Sequence, residues 1–323
     1  MMRRVVKIAV GLFASLVLFL SGFILLNWAP DRPVETLKGR WAPPPSTFLS
    51  VRGQSVHLRD EGPRDDATPI VLLHGTSASL HTWDGWAAEL SKTRRVIRFD
   101  LPGFGLTGPS VDGRYTIASY VALVVGVLDS LGVERVVLAG NSLGGNIAWE
   151  TAVAHPARIE RLVLVDASGY PRTSISVPIG FRIATTPVLN QVGRVTLPRR
   201  LVESSVRNVY GDPSRVTPEL VDRYYELTLR EGNRASLVER FRQSVPGEHA
   251  EDIKKVAAPT LILWGGQDRL IPQQHASWFQ RDIARNELVV FDDLGHVPQE
   301  EDPARSLAAL VRFLGREAVQ ERW

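Results

Sequence analysis

The sequence predicts an α/β protein: a mostly parallel sheet with helices on both faces, interrupted once by a helical insertion. Three observations carry this. From Pro69 onward, short apolar runs such as Ile70–Leu73, Arg135–Ala139 and Arg161–Val165 alternate with stretches of helical periodicity. Gly140-Asn141-Ser142-Leu143-Gly144-Gly145 sits between one such strand and the helix-like run Asn146–Ala152. Between Ser168 and about Val256 the strand pattern stops, leaving helix-like pieces at Arg199–Val209, Pro218–Leu229 and Arg234–Ser244.

Taken in order, the chain opens on a basic stretch, Met1 to Lys7. Ile8 to Trp28 then carries no charge and as a helix spans about 31 Å, against a bilayer core of about 30 Å. Asn27-Trp28-Ala29 is a poor cleavage site and there is no cysteine for lipidation, so residues 1–30 read as an uncleaved membrane anchor. A cleaved signal peptide is the alternative. Arg3, Arg4 and Lys7 place the rest of the chain on the extracytoplasmic side, or outside the cell if the segment is cleaved. Residues 31–47, with Pro33 and Pro43-Pro44-Pro45, read as a linker or stalk. Phe48–Val51 and Ser55–Arg59 form an opening hairpin through Arg52-Gly53-Gln54. Tyr115–Leu131 has its apolar residues at helical spacing. Pro259–Trp264 and Asn286–Phe291 are strands, and Asp302-Pro303 opens the last helix as N-cap and first-turn residue.

A strand, G-x-S-x-G and a helix form the context of a nucleophile elbow. The serine of such a turn lies in a strained conformation, so its neighbours two residues away must be small, as Gly140 and Gly144 are. A serine hydroxyl needs a base, and the base needs an orienting acid. Asp268 follows the strand Pro259–Trp264 through Gly265-Gly266-Gln267, and His296 follows Asn286–Phe291 through Asp292-Asp293-Leu294-Gly295. Asp166, at the end of Arg161–Val165, is the rival acid. Asp292 and Asp293 read as loop-shaping.

On these residues the chain resembles the α/β-hydrolase fold superfamily, of the serine-nucleophile, cap-bearing, esterase- or lipase-like kind. His74-Gly75-Thr76-Ser77 after Ile70–Leu73 resembles the oxyanion loop of that family. Asp100-Leu101-Pro102-Gly103-Phe104-Gly105 resembles its D-x-P-G-x-G turn, and Gly295-His296-Val297-Pro298 its histidine loop. The resemblance implies an eight-stranded, mostly parallel sheet. The core would be formed by residues 48–168 and 257–323, with residues 169–256 as a helical cap over the site. It implies Ser142 as nucleophile, His296 as base and Asp268 as acid, with the backbone N–H groups of Thr76 and Leu143 as the oxyanion hole. One such donor is worth about 2.7–4 kcal/mol of transition-state stabilisation. In the cap, Phe181, Tyr210, Tyr224 and Tyr225 are candidates for the pocket wall.

The chain has 323 residues, a formal net charge of +3 and no cysteine, which excludes disulfides and thiol catalysis. No basic stripe interleaved with aromatics marks nucleic-acid binding, and no His/Cys/Asp/Glu spacing marks a metal. No cofactor is implied. The leading expectation is a carboxylic ester hydrolase working through an acyl-enzyme on a small-molecule, lipid-like ester. A serine-dependent C–C bond hydrolase of ring-fission products is the alternative, disfavoured because those relatives usually follow the histidine with tryptophan and this chain has Val297. Thioesterase and haloperoxidase-like activities use the same triad. A non-catalytic binding role conflicts with the intact triad. Haloalkane dehalogenases and epoxide hydrolases place aspartate where Ser142 stands.

Overall fold

The computed structural model describes residues 2–171 and 173–320. Met1 of the basic N-terminal stretch and positions 321–323 of the expected core lie outside the described residues. Eight strands form one sheet: β1 (Thr47–Val51), β2 (Gln54–Glu61), β3 (Ile70–Leu73), β4 (Val96–Phe99), β5 (Val136–Asn141), β6 (Ile159–Val165), β7 (Thr260–Gly265) and β8 (Asn286–Phe291). Their order is β1-β2-β4-β3-β5-β6-β7-β8. The pairings of β2 with β1 and with β4 are antiparallel, and the five pairings from β4 to β8 are parallel.

Side-chain alternation along these strands feeds two apolar layers. Val71, Leu73, Val136 and Leu138 pack on one face with Tyr120, Val124, Ile147, Trp149 and Phe279. Ile70, Leu72, Val137 and Ala139 pack on the other with Trp83, Trp86, Leu90, Leu310 and Phe313. Being covered on both sides is why the central strands are continuous apolar runs rather than alternating ones.

Helices follow in chain order as α1 (Met2–Leu26), α2 (Val34–Trp41), α3 (Asp84–Leu90), α4 (Ile117–Ser130), α5 (Leu143–Ala154), α6 (Ile179–Thr185), α7 (Leu189–Gly193), α8 (Arg199–Val209), α9 (Pro218–Thr228), α10 (Asn233–Arg242), α11 (Gln274–Asp282), α12 (Pro298–Glu301) and α13 (Pro303–Gln320). Caps set several starts. Thr116 accepts from the Ser119 amide ahead of α4, and Thr217 accepts from Leu220 ahead of α9, with Pro218 at the first position. Asp302 Oδ1 accepts from the Arg305 amide and opens α13.

The segment between β6 and β7 carries α6 to α10 and no strand of the sheet. Its own small core, Val202, Val206, Tyr210, Val216 and Val221, closes onto Val297 beside His296.

Residues 31–47, expected as a linker, are bound to the rest of the molecule. Pro33 stands at the N-cap of α2 instead of breaking the chain. Leu37 is buried with Leu106 and Leu227. Trp41 Nε1 donates to Glu226 Oε2 at 2.7 Å, and Arg40 pairs with Glu226 Oε1 at 2.8 Å. Leu37 and Trp41, four residues apart, share the inward face. The proline run that reads as a stalk only ends this helix.

α1 is long and apolar enough to cross a membrane, and leaves Leu12, Phe13 and Leu18 exposed. Its end is fastened to the helical insert. Trp28 bridges Thr196, the Ala29 amide donates to Val195 O, and Arg234 donates to Ala29 O at 2.7 Å and to Asp31 Oδ1 at 2.6 Å.

Candidate active site

Ser142 ends the turn from β5 into α5 with φ 55° and ψ −114°, a region that side chains other than glycine rarely occupy. Crowding enforces the turn. A Cβ on Gly140 would overlap the Gly144 carbonyl, and one on Gly144 would overlap the Leu73 carbonyl of β3. The serine is therefore raised at the C-terminal edge of the sheet, at the start of α5. There the Leu143 N–H is one of the donors a helix cannot satisfy itself.

The His74–Ser77 loop packs directly on this turn, so a Cβ on Gly75 would come within 2.9 Å of Asn141 Oδ1. His74 shapes the loop: Nδ1 bonds Gly75 O at 2.7 Å and Nε2 accepts from the Leu101 amide at 2.9 Å. Complete burial holds its imidazole below the ordinary histidine range. Asp100 fixes the neighbouring turns. Its carboxylate accepts from the Leu80 and Leu106 amides at 2.7 Å each and from His57 Nδ1 at 2.7 Å. Burial pushes its carboxyl up, but the attraction and hydrogen bond of His57 outweigh that and hold it below the usual carboxylate range.

His296 and Asp268 meet at 2.6 Å through Nδ1 and Oδ2, both residues 4% exposed. Asp268 Oδ1 accepts from the amides of Leu270 and Ile271 at 2.8 and 2.9 Å. Asp166 lies beside them, but its Oδ1 accepts from the Gly265 amide and its Oδ2 has no hydrogen-bond partner. Burial, then the adjacent Asp268 carboxylate, hold Asp166 well above the ordinary carboxylate range. Of the two acids weighed from the sequence, Asp268 is the one hydrogen-bonded to His296.

These three residues are the grouping among the described residues whose ligand atoms could converge on a metal, lying within 4.8 Å of one another. The 2.6 Å contact is a hydrogen bond. Two ligands of one tetrahedral ion at about 2.1 Å would sit roughly 3.4 Å apart.

Two residues that sequence reasoning passed over tie the site together. Asn141 Nδ2 donates to Val165 O at 3.1 Å and to His296 O at 2.9 Å, clamping the elbow to the histidine loop. Glu301 accepts from the Gly295 amide at 2.8 Å and from the Gly211 and Asp212 amides at 3.0 and 2.7 Å, joining that loop to the helical insert. In the sequence, Glu301 is one of two acids ahead of Asp302-Pro303 and carries no local signal.

Ser142, Thr76 and His296 border one cavity of about 420 Å³. Its far wall is aliphatic and aromatic, with Ile179, Phe181, Ile183, Leu201, Val206 and Leu237 from the insert and Phe23 from α1. Tyr224 reaches this cavity, while Tyr210 packs in the small core of the insert, with Tyr225 against that core. Arg234, the basic side chain on the wall, is committed to Asp31 and Ala29.

A family model for the α/β hydrolase fold matches residues 68–303. The chain is 32% identical over 278 residues to a 2-hydroxymuconate semialdehyde hydrolase from Pseudomonas putida, covering 82% of this chain and 92% of that one. Among solved structures, a meta-cleavage product hydrolase from Pseudomonas fluorescens superposes with a TM-score of 0.72 at 28% identity, over 84% of this chain and 98% of that one. A membrane phospholipase A superposes with a TM-score of 0.68 at 23% identity over 97% of this chain and 98% of that one, a likeness of fold.

Proposed function

The chain belongs to the α/β hydrolase fold family, and on that premise we propose that it is a serine hydrolase cleaving carboxylic esters of apolar acids. Ser142 Oγ attacks the acyl carbonyl while His296 takes its proton. The resulting oxyanion is held by the N–H groups of Leu143 and Thr76. As the C–O bond to the alcohol breaks, His296 returns the proton to the departing oxygen, leaving an ester on Ser142. Water, activated by His296, then hydrolyses that ester. Asp268 keeps the imidazole in the tautomer with its proton on Nδ1 and stabilises the imidazolium. The amides of Leu270 and Ile271 hold its carboxylate in place from the other side.

The observation that carries the ester reading is the apolar 420 Å³ cavity beside Ser142, with its basic wall residue already neutralised by Asp31. Such a wall suits an alkyl chain. α1, read as a membrane anchor, supplies Phe23 to the same wall, which supports a lipid-like ester as substrate.

C–C bond hydrolysis is the second reading, and the likeness to known proteins favours it over the ester reading, through the 32% identity to a 2-hydroxymuconate semialdehyde hydrolase and the 28% identity to a meta-cleavage product hydrolase. A muconate semialdehyde carries a carboxylate, and its burial calls for a free cation. Within the apolar cavity, the pairing of Arg234 with Asp31 weighs against it, as does Val297 after His296.

The test uses detergent-solubilised full-length protein and its Ser142→Ala variant. Substrates are p-nitrophenyl esters from acetyl to palmitoyl, an acyl thioester and a ring-fission dienoate. Ester turnover with a medium- or long-chain optimum, lost in the variant, is expected. Turnover of the dienoate alone would establish the second reading, and of the thioester alone a thioesterase.

A further inference from the structure

A second cavity, about 120 Å³, meets the first at the nucleophile: Thr76, Ser142, Phe181 and Leu270 border both. Its character differs. Along α5, Ser142, Asn146 and Glu150 recur every four residues on one side of the helix, about 6 and 12 Å beyond the nucleophile. Asn146 Nδ2 donates to Glu150 Oε1 at 3.0 Å, and His249 Nδ1 lies 3.1 Å from Glu150 Oε2. Arg240 and Glu248 add one charge of each sign to the wall.

We propose that this cavity is the subsite for the alcohol half of the substrate, and that it takes a small polyhydroxylated alcohol of about glycerol size. The inference rests on the ester reading above. An ester bound with its carbonyl at Ser142 has two halves that must leave the reacting carbon in different directions. An alkyl chain fits only the larger, apolar cavity. The other half then faces a chamber whose wall offers a carboxylate, an amide and an imidazole. This cavity is much smaller than the first, which suits a small alcohol better than an alkyl chain.

The Glu150 side chain is only 14% exposed, so a hydroxyl donated to it would replace little bulk water. Burial raises its carboxyl above the ordinary value, with His249 opposing, and each of its oxygens, engaged once by Asn146 or His249, keeps a lone pair for a further donor. A hydroxylated alcohol supplies donors without bringing a charge into the chamber.

The experiment compares two esters of the same acid, 1-glyceryl octanoate and ethyl octanoate, on full-length protein and on Glu150→Ala and Glu150→Gln. A hydrogen bond to a charged group is commonly worth a factor of about ten or more. Expected is a loss of about tenfold in kcat/KM for the glyceryl ester in Glu150→Ala, less than threefold in Glu150→Gln, and less than twofold for the ethyl ester in either. The loss should fall mainly on KM. Equal losses on both esters would make Glu150 a structural prop of α5 and overturn the proposal, as would no loss on either. If wild type turns over neither ester, the ester reading itself falls and the subsite with it.

Discussion

His296 Nδ1 lies 2.6 Å from Asp268 Oδ2, although 28 residues separate them and each comes from the loop after a different strand. The contact is buried, and Asp268 is held from its other side by two amides. An acid fixed in this way dictates which imidazole nitrogen carries the proton. Asp268→Asn would keep the two amide bonds but present an NH₂ group to Nδ1, moving the proton to the nitrogen that must act as base. We expect kcat for ester hydrolysis to fall about 10³–10⁴-fold, with a parallel fall in the rate of fluorophosphonate labelling at Ser142. Combining it with Ser142→Ala should cost no more than Ser142→Ala alone. An unchanged labelling rate in Asp268→Asn would remove Asp268 from the triad.

Asp166 presents the reverse situation, a buried carboxyl beside an acid already committed to His296. Its folded pKa lies above its unfolded value, so the folded state binds the proton more tightly. That stabilising contribution is present in full below the unfolded value of 3.8 and is lost as pH rises through the raised one. Asp166→Asn keeps an acceptor for the Gly265 amide and removes the titration. The variant should be more stable than wild type at pH 7, by about 2–4 °C in Tm for each kcal/mol recovered, and its stability should vary less with pH. Differential scanning fluorimetry from pH 4 to 8 measures both. A variant less stable than wild type at pH 7 contradicts this account.

Asp100 has the opposite sign. Its folded pKa is depressed, so its contribution is present above the unfolded value of 3.8 and is lost as pH falls through the lower one. Asp100→Ala strands His57 and two amides in a buried cluster that supports the His74–Ser77 loop. Breaking a buried pair commonly costs about 3–5 kcal/mol. Chemical denaturation at pH 7 should show a loss of that order, shrinking below pH 4.

Much of this was legible in the chain because it is local. The nucleophile turn is written in six consecutive residues, and the crowding at Gly140 is set by its sequence neighbours Gly144 and Gly145, although Gly144 is crowded by Leu73 and His74 from a distant part of the chain. The sheet is legible because strands buried on both faces are continuous apolar runs. What stayed hidden depends on distance in sequence. The Asn141 amide reaches a carbonyl 155 residues away, and Trp41 meets Glu226 across 185. A proline-flanked segment such as residues 31–47 reads as a linker until its partner surface on α9 exists. Similarly, residue order and the family resemblance favour Asp268 over Asp166 as the acid, while its contact with His296 across 28 residues is visible only in the fold.

The apolar cavity predicts its own specificity. Leu237 stands on its wall, partly buried against the core. Leu237→Trp fills space without adding charge and leaves the triad untouched. The optimum acyl length should shorten by two or more carbons across the p-nitrophenyl series, while kcat/KM for the acetyl ester changes by less than threefold. An unshifted optimum would mean that the acyl chain lies elsewhere.

The end of α1 separates two roles that the sequence could not divide. Phe23 contributes apolar wall, whereas Asn27 to Asp31 act as a strut: Trp28 bridges Thr196, and Asp31 neutralises Arg234, which is 7% exposed. Deleting residues 2–26 removes the first role and keeps the second. That protein should leave the membrane fraction, retain activity on butyryl esters within about threefold, and lose tenfold or more on dodecanoyl esters, because each exposed CH₂ forfeits about 0.8 kcal/mol of burial. Extending the deletion through Asp31 leaves a buried guanidinium without its carboxylate, a loss of about 2–3 kcal/mol that loosens the insert and lowers activity on both esters. Asp31→Ala in the full chain should reproduce the stability loss while keeping the protein in the membrane fraction. If the two deletions behave alike on both esters, the strut contributes nothing separable; if deleting residues 2–26 spares dodecanoyl esters, α1 acts only as a tether.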